Sequence, residues 1–265
     1  MNRESTIDMA KGPDKPQKPE KSQAELRDAL QHKLSSIYTR PDGTKESISL
    51  NLDTKLQGFL SFYKKTKVDL TPDFEDSISD IWDRNQKDIE KAVEQNGFDD
   101  VLIIPGDISL TELAERMKME DGYYIGVNLD ENGSFAGIIS QNVDKPRIIL
   151  FHHIDTLPEI TKQTGIDIHL NITGTEAQKL YLTNPKNYLS TLEDAIILER
   201  KYYEDTKKHL SDWKNKSAQW LPGSEAGSRS VCSRWSAAYL KYYVNTYSSE
   251  SRNVHLGVRP ARYFQ

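Results

Sequence analysis

The chain of 265 residues sets 35 Lys and Arg against 40 Asp and Glu, a formal charge of −5, with a pI near 5.8. That balance argues against a dedicated nucleic-acid binder, whose affinity rests on clustered cation contacts to phosphate. Hydrophobic residues make up 36%, enough for a core, while no apolar run reaches the roughly 18–20 residues of a membrane span. Residues 1–21 lack the apolar stretch of a secretory signal. The single cysteine, Cys232, leaves no internal disulfide and no cysteine-based zinc cluster. The expectation is a soluble, intracellularly made globular protein without membrane insertion.

Residues 1–21 read as a disordered tail, since the stretch from Lys11 to Glu20 holds three prolines and alternating charge with nothing to bury. Ser22 with Glu25 forms a capping box, and Leu26, Leu30, Leu34 and Ile37 fall on one helical face, which predicts a helix there. Asp42-Gly43 marks a turn, and residues 47–52 read as a short strand or an extended lead-in. The clearest helix spans 71–96: Thr71 caps it, Pro72 suits its first turn and Gly97 ends it. Its stripe of Phe74, Ile78, Ile81, Trp82, Ile89 and Val93 is predicted to dock on another element.

From residue 98 the period changes. Residues 101–104 predict a buried strand closed by Pro105-Gly106, and Ser109 with Glu112 opens a short helix to Met117. Residues 123–129 and 134–140 flank Asp130-Glu131-Asn132-Gly133 and read as a β-hairpin. Residues 147–153 predict a strand, and 191–208 a helix capped by Thr191. The stretch containing Trp213, Trp220 and Pro222 reads as irregular. Strands and helices without regular alternation give an α+β class. Residues 22–97 form a mainly helical extension packed on a domain spanning 98–265.

Little in the chain carries catalytic chemistry. His152-His153-Ile154-Asp155 is the compact group of potential metal ligands, but adjacent strand histidines point to opposite faces and cannot hold one ion together. They are read as partly exposed strand histidines. HExxH, P-loop and strand-borne GxGxxG motifs are absent, and in Gly223-Ser224-Glu225-Ala226-Gly227 the serine is out of place for a nucleophile elbow. No enzyme activity, cofactor or metal is expected. Residues 228–255, by contrast, hold seven serines, four tyrosines and two asparagines with one lysine and one glutamate. That is the palette of antibody binding loops, rigid amphipathic rings among small adaptable polar groups. The alternative is a tyrosine-rich strand of an ordinary sheet.

Trp220-Leu221-Pro222-Gly223-Ser224, Gly227-Ser228-Arg229, Trp235 and the closing Leu256-Gly257-Val258-Arg259-Pro260-Ala261-Arg262-Tyr263-Phe264 resemble the C-terminus of C-type-lectin-fold proteins. They are similar to the variable proteins diversified by diversity-generating retroelements, in the branch related to formylglycine-generating enzymes. Asp100-Val101-Leu102-Ile103-Ile104-Pro105-Gly106 and residues 188–200 resemble that family's scaffold, so the likeness spans about 45–265. It implies a C-type-lectin-like domain with a variable region over about 223–264, where a reverse transcriptase rewrites codons while the backbone stays put. Gly223 and Gly227 would shape the backbone, Trp235, Leu240, Val244, Leu256 and Val258 would be buried, and Arg259 and Arg262 would bond into the scaffold. Rewritten asparagine codons ending in a pyrimidine cannot become Lys, Glu, Gln, Met or Trp, which assigns Trp235, Lys241 and Glu250 to the framework and leaves Cys232 compatible with rewriting.

The variable, solvent-facing, ligand-binding positions expected from this likeness are Ser230, Ser233, Arg234, Ser236, Ala238, Tyr239, Tyr242, Asn245, Tyr247, Ser248, Ser249, Ser251, Asn253 and His255, with an aromatic anchor among the tyrosines. The implied partner is a protein or another cell-surface macromolecule, and both the cytoplasm and a cell or viral surface stay open as its place of action. A formylglycine-generating activity would use a pair of active-site cysteines, where this chain has one. A calcium-dependent lectin would carry Glu-Pro-Asn or Gln-Pro-Asp with Trp-Asn-Asp, and neither is present. A structural or assembly role through the helical N-terminal region is the remaining alternative.

Overall fold

The chain enters its core through a hairpin. Lys33–Thr39 (β1) pairs antiparallel with Lys45–Asn51 (β2), with Lys33 opposite Asn51. The structure, a computed structural model, describes residues 32–40, 42–117, 124–128, 137–141, 144–152, 171–184, 187–210, 218–236, 241–254 and 256–265. The tail over 1–21 and the start of the helix predicted from Ser22 lie outside them. Where that helix should continue, the chain is extended: Leu34, Ser36 and Tyr38 point inward and Ile37 is 60% exposed. The helical spacing of Leu34 and Ile37 was coincidental. The inward set alternates but includes a serine, whose Oγ donates to Glu94 at 3.0 Å, and the turn closes through Gly43 at φ 84° with the Thr44 amide on Asp42 Oδ1.

Two helices come next. Leu52–Thr66 (α1), which the sequence reading did not assign, is capped by Asn51 Oδ1 accepting from the Thr54 amide at 2.9 Å. Phe74–Asn96 (α2) buries the whole predicted stripe and ends at Gly97 in the left-handed conformation, φ 71°. Its start lies later than expected, at Asp73 rather than Thr71, and without a side-chain cap. This helix packs on β1 and on a three-stranded antiparallel sheet of Ala261–Phe264 (β11), Arg147–Phe151 (β6) and Asp100–Ile104 (β3).

The larger sheet runs in the order Leu256–Gly257 (β10), Ala218–Ala226 (β7), Arg229–Ser236 (β8), Lys241–Ser248 (β9) and Tyr124–Asn128 (β4), with Ile138–Ser140 (β5) also on β7. Among the described residues the two arms of the hairpin predicted between 123 and 140 do not pair with each other. β4 pairs parallel with β9 and β5 antiparallel with β7, while the turn residues lie outside the described set. The stretch read as irregular is strand β7 from Ala218. Its Pro222-Gly223 sits where the register shifts between Trp220 and Glu225, so a residue without an amide hydrogen interrupts no ladder bond.

Three more helices complete the described elements: Leu110–Arg116 (α3), capped by Ser109; Gly174–Thr183 (α4), which was not anticipated despite its Thr173–Glu176 capping box; and Leu192–Thr206 (α5), capped by Thr191. The fold is thus mixed helix and strand, with mainly antiparallel sheets. One hydrophobic cluster extends from Leu34 to Phe264, so the hairpin and helices of 32–97 share one core with residues 98–264. A smaller cluster of Ala177, Ala218, Trp220, Cys232, Leu256 and Val258 lies on the other face of the larger sheet.

The core also encloses an ion pair. Arg147, 1% exposed, donates through Nε (3.0 Å) and NH2 (2.5 Å) to Asp194 Oδ1, 0% exposed, and the Tyr263 hydroxyl donates to Asp194 Oδ2 at 2.5 Å. Removing one member of such a pair strands the other in a medium that cannot solvate it. Asp194→Asn is expected to lower the urea-unfolding free energy by about 3–5 kcal/mol. The double replacement Arg147→Met with Asp194→Leu, which leaves no lone charge, is expected to cost less than the single one.

Candidate functional site

Strands β8 and β9 pair from Arg229 opposite Ser248 to Ser236 opposite Lys241. Alternation then sorts their side chains. Val231, Ser233 and Trp235 with Tyr242, Val244 and Thr246 face the main core. Ser230, Cys232 and Arg234 with Tyr243, Asn245 and Tyr247 face the other way, toward the smaller cluster and its margin.

The inward face overturns part of the expected surface. Tyr242 is 0% exposed and donates its hydroxyl to Ser233 Oγ at 2.6 Å, and burial holds its phenol well above the ordinary range. Gln219 Nε2 donates to the same Ser233 Oγ, and Arg259 Nε donates to Gln219 Oε1 at 3.0 Å. Tyr242 and Ser233 are therefore parts of a buried polar chain and do not face solvent. Ser236, at the end of β8, and Asn245, within β9, are buried as well.

The other candidates sit closer to water. Ser248 is exposed, and Ser230, Arg234, Tyr247, Ser249, Ser251 and Asn253 are half-buried. Tyr247 meets Trp220 edge to face with centroids 6.2 Å apart. Ser230 Oγ lies 3.2 Å from Ser249 Oγ and directly under Gly174, where an added Cβ would come within 2.1 Å of it. Ala238, Tyr239 and His255 lie outside the described residues, as does Leu240. Sequence reasoning missed Tyr243, half-buried opposite Arg234. Its parity with Asn245 and Tyr247 was the available signal.

The turn after β9 is fastened to the start of α4. The Thr175 amide donates to the Ser249 carbonyl at 2.9 Å, Thr175 Oγ1 to Glu250 Oε1 at 2.5 Å, and Arg252 NH2 pairs with Glu176 Oε1 at 2.7 Å. Arg252 also bonds the Asn171 carbonyl. The Thr173 amide, and after it Arg252, holds the Glu176 carboxyl below its usual range. Arg252 was not among the expected positions, and its role here is to anchor the turn.

Around this surface the framework is buried. Trp235 stacks on His209 with centroids 3.4 Å apart and planes within 8°, His209 stacks on Tyr203, and His209 Nδ1 meets buried Glu199 at 2.9 Å. Val244, Leu256 and Val258 are buried, and Arg262 NH1 donates to Asn187 Oδ1 at 2.6 Å. Cys232 is enclosed, and burial pushes its thiol up to about 12, the opposite of a reactive thiolate.

His152 is 3% exposed and not partly exposed as expected; His153 lies outside the described residues. The His152 ring packs on Phe98 with centroids 4.8 Å apart, and neither ring nitrogen has a hydrogen-bond partner among the described residues. Burial pushes its imidazole down to about 4, against smaller opposing effects of the Gly97 backbone and Glu46. Among the described residues no group of three or more His, Cys, Asp or Glu is placed to hold a metal ion, and no helix is long and apolar enough to cross a membrane. Comparison of the chain with protein-family models, curated proteins and solved structures gives no match.

Two measurements test these assignments. Tyr242→Ala is expected to cost about 3–5 kcal/mol, as for other large buried rings, while Tyr243→Ala and Ser251→Tyr stay within roughly 1 kcal/mol of the parent; thermal melts of the three variants separate them. For His152 the unfolded chain binds the proton near pH 6.5 and the folded chain only near 4, so its contribution is full above pH 6.5 and is lost as pH falls toward 4. Across that window the parent should lose about 3 kcal/mol of stability relative to His152→Leu, with no relative change above pH 7.

Proposed function

We propose that this chain is a non-catalytic ligand-binding protein of the kind diversified by retroelements. It presents C-terminal side chains on a C-type-lectin-like scaffold to a protein or another cell-surface macromolecule. The observation that carries this reading is the division within residues 228–255. Trp235, Tyr242 and Val244 are buried, whereas Arg234, Tyr243, Ser248, Ser251 and Asn253 lie at or near the surface. Small hydroxyls, an amide, a guanidinium and a ring at the margin of a packed sheet make a surface whose changes barely touch the core. The arginines of the closing motif support the same reading, since Arg259 bonds buried Gln219 and Arg262 bonds Asn187, so both tie into the scaffold. The buried thiol of Cys232 disfavours the formylglycine-generating alternative, which needs accessible cysteine chemistry.

Sequencing the surrounding DNA tests the reading. The expected result is a reverse-transcriptase gene and an imperfect repeat of the codons for 223–264, with mismatches at adenines that fall on positions such as Arg234, Tyr243, Ser248 and Ser251 and spare Trp235 and Val244. A locus without a repeat, or mismatches concentrated on buried codons, overturns it.

A further inference from the structure

A cleft of about 340 Å³ opens between the C-terminal half of α2 and the segment leading into β11, away from the residues assigned to the variable surface. Its volume lies at the small end of the roughly 300–1,000 Å³ typical of ligand pockets. Polar side chains from separate parts of the chain converge on it: Asp88, Lys91, Gln95 and Asn96 from α2, Asn187 from the approach to α5, and Arg262 from β11.

The charges in this lining oppose one another. Lys91 and Arg262 line the cleft together with Asp88 and the carbonyl end of α2, which carries the negative pole of the helix dipole. An ion of either sign would meet a like charge, which leaves hydrogen bonding as the means of recognition. The amides supply it in both directions. Asn96 Nδ2 donates one of its two hydrogens to the Ala92 carbonyl, which fixes the amide and leaves its Oδ1 to accept. Asn187 Oδ1 takes the Arg262 guanidinium, so its Nδ2 is the group left to donate. Gln95 is exposed and offers both. Tyr188 lines the cleft as a half-buried ring. Phe98, Pro260 and Ala261 add an apolar wall.

We propose that this cleft binds a neutral, hydroxyl-rich small molecule of one or two sugar rings, hydroxyls on the amide and guanidinium rim and a C–H face on the apolar wall. Arg262 has a double part, closing the fold through Asn187 and lining the site.

Saturation-transfer NMR on the full chain in EDTA tests it, with glucose, galactose, mannose, N-acetylglucosamine and lactose as probes and glucuronate and glucosamine as charged counterparts. The expected result is transfer from at least one neutral sugar, weakened about tenfold by Gln95→Ala or Lys91→Ala, the loss that goes with one hydrogen bond. Both positions are on the exposed side of α2, so the variants should keep the parent's circular dichroism and melting temperature. Silence from every neutral sugar, equal or stronger transfer from a charged counterpart, or binding unchanged in both variants overturns the proposal.

Discussion

The contact between Arg147 and Asp194 ties the small sheet to α5 from inside the core. Arg147 begins the middle strand of that sheet, Asp194 lies in the first turn of α5, and Tyr263 adds the last strand to the same carboxylate. Two charges with so little access to water gain from each other only when the geometry is good and the remaining lone pairs are used. Here Asp194 takes two guanidinium bonds on one oxygen and a phenol on the other, near the positive pole of its helix. Glu193 beside it has no such set of partners, and burial raises its carboxyl pKa.

A second polar chain does the same for the larger sheet. From Tyr242 through Ser233 and Gln219 to Arg259, it links β9, β8 and β7 to the segment before β11. Each member is buried and would leave an unsatisfied partner if replaced by an apolar residue. Tyr242 therefore belongs with the closing arginines. On β9 it is Tyr243 and Tyr247, of the opposite parity, and the terminal Ser248 that reach toward the surface.

Much of the fold was legible where one signal dominated. The stripe and terminal Gly97 of α2, the apolar run of β3 and the Thr191 cap of α5 all rest on periodicity or a capping residue. The reading failed where a polar residue occupied a core position or a breaker sat in a strand. Ser36 hid the alternation of β1, and Pro222-Gly223 hid β7, since a register shift in the sheet is invisible to local pattern. The proposed binding surface was legible as composition and not as geometry. Counting tyrosines does not reveal which of two adjacent rings faces inward, and the parity of β9 was fixed only by its pairing with β8.

The turn after β9 shows how a surface can change without loosening what carries it. Its position rests on backbone groups: the Ser249 carbonyl takes the Thr175 amide, the Ser248 carbonyl takes the Ser251 amide, and the Asn253 carbonyl takes the Leu256 amide. Arg252 adds a strong side-chain anchor, through Glu176 and the Asn171 carbonyl. Ser249 is less replaceable than its neighbours, since its Oγ bonds both the Ser228 carbonyl and Ser230. A backbone held in this way keeps its path when the side chains at Ser248 and Ser251 change, because neither hydroxyl takes part in holding it.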